Sequence, residues 1–218
     1  MTSNQTNKVP LEIALKSAGI LPVVTINRLD DAVPVAEALL EAGLPMLEVT
    51  LRSDCALAAI ERIRREVPEA QVGAGTVLGP DDLTRCIESG ASFAISPGAS
   101  DELYRAAAET ATPWIPAVRT PTEVMTGLHF GHRLFKLFPT GVDAVGFLRS
   151  MRGPFPQVRF IPTGGVNEQR AEQFLKLPNV LAVGGSWMLP LSDVQSRNWA
   201  KIAEAARAAA ELARASSL

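Results

Sequence analysis

The chain has 218 residues, 47% hydrophobic and 20% charged, with 21 basic against 23 acidic side chains and a formal net charge of −2. A chain of that length buries roughly 70% of its unfolded surface, so no disulfide or metal staple is needed for stability. The near balance of charge excludes a strongly basic nucleic-acid binder and a polybasic membrane anchor, and two cysteines (Cys55, Cys86) with two histidines (His129, His132) are too few for a zinc cluster, a disulfide framework or a histidine-built metal centre.

The N-terminus reads MTSNQTNK, polar throughout, and no apolar run approaches the roughly 18 residues of a membrane span. The expectation is a reduced, cytoplasmic protein with a single domain over residues 1–218. A short helix near residues 10–18 comes first. Apolar runs then begin near Leu21 (LPVVTI), Pro45 (PMLEVT), Gln71 (QVGAGT), Ser92 (SFAIS), Pro113 (PWIPAV), Arg133 (RLFKLF), Val158 (VRFIP) and Val180 (VLAVGG), each followed by an amphipathic stretch. Nearly continuous apolar segments are the mark of strands buried on both faces of a parallel sheet. Between them DAVPVAEALLEAG has helical spacing and closes on Gly43 as C-cap. TPTEVMTGL opens with Thr120 as N-cap, Pro121 at the first helical position and Glu123 two residues later, a capping box. Ala-rich WAKIAEAARAAAELARA is a final helix. Eight β-α units in this length predict an α/β fold, a (β/α)8 TIM barrel with a short N-terminal helix before the first strand. A doubly wound open sheet has the same local pattern, but even spacing without a break in composition argues against two halves.

Charges inside apolar strands stand out, because burying them is expensive unless something compensates. Glu48 interrupts MLEVT and Lys136 interrupts LFKLF, whereas Lys8, Lys16, Lys176 and Lys201 fall in the tail or on amphipathic helices. Set among Leu134, Phe135, Leu137 and Phe138, Lys136 is a candidate for the neutral amine that Schiff-base chemistry requires, because desolvation disfavours an ammonium. The plainer alternative is that Lys136 and Glu48 simply pair in the interior. EVTLR sets Thr50 beside the end of its strand and Arg52 just beyond, at the C-terminal mouth where barrel active sites lie. There a glutamate moves protons and an arginine grips a carboxylate, although Arg52 in a surface salt bridge fits equally. VGAGTVLG has its third glycine one place too late for a dinucleotide fingerprint; its missing side chains let a ligand approach, with Thr76 offering a hydroxyl. IPTGGV and VGGSWM put the pairs Gly164-Gly165 and Gly184-Gly185 after the seventh and eighth strands, with Ser186 next. Side-chain-free amides at that place in a barrel make an anion site, the alternative being two tight turns. Cys55, Cys86, His129, His132 and the tryptophans read as structural.

EVTLR, VGAGTVL, FAISPG, FKLFP, GPFPQVRFIPTGGV and VGGSW resemble, in order and spacing, the 2-keto-3-deoxy-6-phosphogluconate (KDPG) aldolases. The likeness runs from about Val23 to Leu189. It implies a class I aldolase with no metal and no cofactor, assembled as a homotrimer, without nucleic-acid or membrane partners, cleaving KDPG to pyruvate and glyceraldehyde 3-phosphate. By that resemblance the Schiff-base lysine is Lys136 and the acid/base glutamate Glu48. Arg52 receives the pyruvate carboxylate and Thr76 lies in the pyruvate pocket. Thr163 touches the substrate, while Gly164, Gly165, Gly185 and Ser186 hold the phosphate. Two stretches depart from the family pattern, both after strands at the mouth. The loop after Pro139, Thr140-Gly141-Val142-Asp143, is shortened and lacks the family's glycine pair, and Ala117-Val118-Arg119 stands where a glycine usually follows PWIP. Within the family the rival substrates are 4-hydroxy-2-oxoglutarate (KHG) and the galactonate epimer of KDPG. Outside it the rivals are a phosphosugar isomerase or epimerase, which needs no imine, and a non-catalytic phosphate-ligand sensor.

Overall fold

A computed structural model describes residues 10–216; the N-terminal stretch carrying Lys8 lies outside the described residues. Helix α1 (Leu11–Ala18) precedes β1 (Ile20–Val24). Then follow α2 (Ala32–Glu41), β2 (Met46–Thr50), α3 (Ala56–Glu66), β3 (Gln71–Gly75), α4 (Pro80–Glu88), β4 (Ala94–Ile95) and α5 (Asp101–Ala108). The second half runs β5 (Trp114–Ile115), β6 (Ala117–Val118), α6 (Pro121–His129), β7 (Leu134–Leu137), α7 (Ala144–Met151), β8 (Arg159–Pro162), α8 (Glu168–Leu175), β9 (Val183–Gly185), α9 (Leu191–Gln195) and α10 (Trp199–Ser216). Among the described residues no helix is long and apolar enough to cross a membrane.

The ladders are parallel and form two sheets, a curled six-stranded one in the order β5-β4-β3-β2-β1-β9 and a three-stranded one in the order β6-β7-β8. The sequence predicts eight strands in one sheet; nine are present among the described residues because the run PWIPAV is split at Pro116. Proline has no N–H to give a ladder, so β5 pairs with β4 before it and β6 pairs with β7 after it. Two isolated parallel bridges, Phe160↔Val180 and Thr163↔Gly184, link β8 with the segment that leads into and forms β9.

Local chemistry sets several element ends. The α6 capping box is present in full: Thr120 Oγ1 accepts from the Glu123 amide at 3.3 Å, and Glu123 Oε2 accepts from the Thr120 amide at 2.7 Å. Helix α2 is capped by Ala42, and Gly43 sits one position further out than expected, at φ +86. There it donates to the Leu40 carbonyl while Leu44 donates to Leu39, both at 2.9 Å, the crossed pair of a Schellman ending that the left-handed glycine makes possible.

Strand periodicity divides the core in two. Leu47, Val49, Phe135, Leu137 and Phe160 join the large cluster between sheets and helices. Leu21, Met46, Phe93, Ile95, Ile115, Leu134, Ile161 and Ala182 form a smaller cluster fed by both ladders, and Leu15 and Ala18 of α1 belong to it. Side chains alternate faces along a strand, so Met46 and Glu48 share one face of β2, and Leu134 and Lys136 share one face of β7. The two charged residues therefore stand one layer above an apolar floor to which α1 contributes.

Candidate active site

Glu48 and Lys136 come from different sheets and meet. Lys136 Nζ donates to Glu48 Oε1 at 2.9 Å and to Oε2 at 3.3 Å, with Glu48 1% and Lys136 5% exposed. The pair is the one interior ion pair of two nearly water-free side chains among the described residues; other bridges have a partner at or near the surface. Register explains the meeting. Lys136 is opposite Ala117 on one side and Ile161 on the other, and Glu48 is opposite Val23 and Gly73, so neither has a bulky polar neighbour competing for the space. Phe138, two residues on, turns its ring toward the ammonium, with Nζ 5.5 Å from the centroid.

The glycines of VGAG serve this arrangement in a way the sequence reading does not anticipate. They make room for the protein's own side chains. A Cβ on Gly75 would overlap the Glu48 carboxylate, and one on Gly73 would overlap the ring of Phe93. The missing side chains are filled by the protein's own neighbours, one of them the Glu48 carboxylate.

Hydroxyls and one guanidinium cluster at and just beyond the ends of β1, β2 and β3. Thr25 and Thr50 share a hydrogen bond at 2.7 Å between their Oγ1 atoms. Arg52 is exposed and donates Nε–H to Thr76 Oγ1 at 3.1 Å. Thr76 holds its backbone at φ +62, a left-handed conformation uncommon for a threonine and the kind of local strain that functional sites concentrate. A cavity of about 170 Å³ brings Arg52 together with Ser186, its other walls including Thr25, Leu189, Leu191 and Val194. Lys136 and Glu48 are not among its walls. Thr25 could have been found from the polar residue closing VVT, in the same position as Thr50 closes EVT.

The glycine pairs differ from each other. Gly164 and Gly165 lie in the loop after β8 at φ +93 and +67, where only a glycine is at ease. Gly184 and Gly185 instead end β9 as strand residues, paired with Leu21 and Pro22, so the second pair is not in the loop. The space at Gly184 is taken by Thr163 and that at Gly185 by the ring of Trp187. Thr163 is buried and donates Oγ1–H to the Ile161 carbonyl at 3.2 Å. Ser186 is exposed at the start of the turn closed by its carbonyl and the Leu189 amide.

Arg119 turns toward the loop after β7. Its guanidinium lies above the ring of Phe147, 5.8 Å from the centroid, with Nη2 close to Gly141. The two departures from the family pattern are thus in contact. Among the thiols, Cys86 is buried and burial pushes it up to about 12, while Cys55 Sγ donates to the Ile26 carbonyl at 3.0 Å. His132 sits in an aromatic group with Tyr104 and Trp114, each 5.3 Å away between centroids, and burial holds its imidazole below the ordinary value.

Residues 11–205 match the family model described as KDPG and KHG aldolase. The chain is 44% identical over 205 residues to the KHG/KDPG aldolase of Escherichia coli (strain K12), covering 94% of this chain and 96% of that one. Its fold is similar to the crystal structure of the Legionella pneumophila KDPG aldolase with pyruvate captured as a covalent carbinolamine, at a TM-score of 0.88 and 41% identity over 90% of this chain and 96% of that one. It is also similar to the Zymomonas mobilis KDPG aldolase solved with 3-phosphoglycerate, at a TM-score of 0.84 and 42% identity, covering 90% and 92%. A buried lysine–glutamate pair above an apolar floor, in a chain matched to one family from end to end of its strands, leads to one assignment: the chain belongs to the KDPG and KHG aldolase family.

Proposed function

We propose that this chain is a class I aldolase, a lyase that cleaves KDPG to pyruvate and glyceraldehyde 3-phosphate through an imine on Lys136. The observation that carries the reading is the Lys136–Glu48 pair at 2.9 Å, placed where water is scarce. An amine in contact with a carboxylate can pass it a proton and become a nucleophile. Lys136 Nζ then adds to the C2 ketone, and loss of water leaves an iminium. Glu48, through a water, takes the proton of the C4 hydroxyl as the C3–C4 bond breaks and its electron pair flows into the iminium, giving an enamine and the aldehyde. Protonation of the enamine at C3 by the same carboxyl regenerates the iminium, and hydrolysis releases pyruvate and the free lysine. Covalent capture of pyruvate in the Legionella relative supports the first step.

Arg52 is assigned to the pyruvate carboxylate and Thr76, its hydrogen-bond partner, to the pyruvate pocket. Thr163, Gly164, Gly165, Gly185 and Ser186 are assigned to the distal half and its phosphate; that the Zymomonas relative was solved with 3-phosphoglycerate is consistent with a phosphorylated ligand for the family. The two ladders are read as parts of one closed (β/α)8 barrel. Pro116 merely interrupts the strand that joins them on one side, and the bridges to Val180 and Gly184 join them on the other. From composition and spacing we take residues 1–218 as a single cytoplasmic domain, and from the family resemblance as one that works as a homotrimer.

KHG is the second substrate to consider, because the family and the Escherichia coli relative carry both names. Pyruvate release measured side by side on KDPG, its galactonate epimer and KHG tests the choice. KDPG is expected to have a kcat/KM at least about tenfold above the other two, worth about 1.4 kcal/mol of transition-state binding. A higher value on KHG would move the assignment there, equal values would remove the proposed preference, and no pyruvate from any of them would overturn the assignment.

A further inference from the structure

The loop after β7 and the loop after β8 are sewn together by three hydrogen bonds. Thr140, fully buried, donates its hydroxyl to the Gly164 carbonyl. Arg170 donates Nη1–H to the Gly165 carbonyl at 2.8 Å and Nη2–H to the Gly141 carbonyl. The arginine is itself held. It is the third residue of α8, its amide is capped by Asn167 Oδ1 at 3.0 Å, and its guanidinium lies over the Phe174 ring at 5.4 Å. A planar fork with two parallel donors can hold two carbonyls in fixed relation, which a point charge on a flexible stem cannot.

The N–H and C=O of one peptide unit point in opposite directions. Fixing the Gly164 carbonyl therefore aims the Gly165 amide away from it, and fixing the Gly165 carbonyl aims the Val166 amide. Neither amide donates to a protein acceptor among the described residues. Both glycines occupy left-handed backbone, which is free to move unless something outside it decides its orientation. The shortened loop, through Thr140 and Gly141, supplies one side of that restraint and Arg170 spans both. The sequence reading does not single out Arg170.

We propose that Arg170 is a positioning residue that clamps the two loops into one wall and aims the Gly165 and Val166 amides at the distal phosphate, so that it sets the preference for phosphate-ended over carboxylate-ended substrates. The inference rests on the reading of Gly164-Gly165 as the phosphate loop. Arg170 acts through carbonyls that it holds, not by touching the reacting atoms.

The test compares KM and kcat on KDPG and on KHG, together with exchange of the pyruvate methyl protons, for wild type, Arg170→Met, Arg170→Lys and Thr140→Val. Arg170→Met keeps a stem over Phe174 and removes the fork. It should raise KM for KDPG about tenfold with kcat within about twofold, leaving KHG turnover and proton exchange unchanged. Arg170→Lys should behave like Arg170→Met, and Thr140→Val, which loosens the same wall from the other loop, should shift KM for KDPG in the same direction. If wild type prefers KDPG and Arg170→Met leaves that preference intact, the clamp is wrong. Recovery of wild-type KM by Arg170→Lys would show charge alone at work and also overturn it, as would equal losses on both substrates. A wild type that does not distinguish the two substrates removes the phosphate-loop reading and the clamp with it. Should Arg170→Met fail to fold, Arg170→Lys and Thr140→Val still decide the matter.

Discussion

Gly75 makes the position of Glu48 possible. A methyl group there would overlap the carboxylate, so a side chain at this position forces Glu48 to swing from the place where it meets Lys136. Overpacking a filled core costs about 1–3 kcal/mol, and a misplacement of about 1 Å at a reacting group costs on the order of 10²-fold in rate. Gly75→Ala should therefore lower the thermal midpoint modestly and lower pyruvate proton exchange far more than the stability loss accounts for. Exchange at the wild-type rate in a folded Gly75→Ala protein would contradict this role. Lys136 and Glu48 were legible in the sequence because a charge inside an apolar run is conspicuous. The purpose of Gly75 was not, since a glycine reads the same whether a ligand or a neighbouring side chain fills its space. Arg170 was hidden for a different reason: its acceptors are backbone carbonyls on two other loops, and no sequence pattern marks them.

At the scale of elements, periodicity carried most of the reading. The positions of the apolar runs foretold all the strands, and the capping box of α6 is present as its residues imply. What periodicity could not show was how a run would divide between partners. PWIPAV becomes β5 and β6 because Pro116 cannot donate to a ladder, and VLAVGG contributes only Val183–Gly185. Where α6 leads into β7, His132 packs among Tyr104 and Trp114, and burial lowers its pKa from the usual 6.5. The unfolded chain binds a proton near that ordinary value while the folded one does not. Between it and the depressed folded value, stability falls as pH falls; above it the contribution is complete. Denaturant unfolding of wild type and His132→Phe from about pH 8 to about pH 5 should show a constant difference in the upper part of the range. Wild type should lose stability relative to the variant only in the lower part. A difference that stays flat throughout would mean that His132 titrates as it does in water.

For the whole molecule, the fold brings together residues 88 apart in sequence by setting strands from two ladders around one apolar cluster. That floor excludes water from below, both charges compensate each other above it, and Arg52 and Ser186 share a cavity nearby. The central claim is that, of five lysines, only Lys136 is a nucleophile. Lys176 and Lys201 are exposed and paired with Glu172 and Asp193 on the outer helices, away from the interior pair. Borohydride reduction in the presence of pyruvate, followed by peptide mapping by mass spectrometry, reads the claim directly. The account predicts a single stable adduct on the peptide containing Phe135-Lys136-Leu137, absent in Lys136→Ala and formed more slowly but still formed in Glu48→Gln. A label on Lys16 or Lys176, or no label at all, would contradict it.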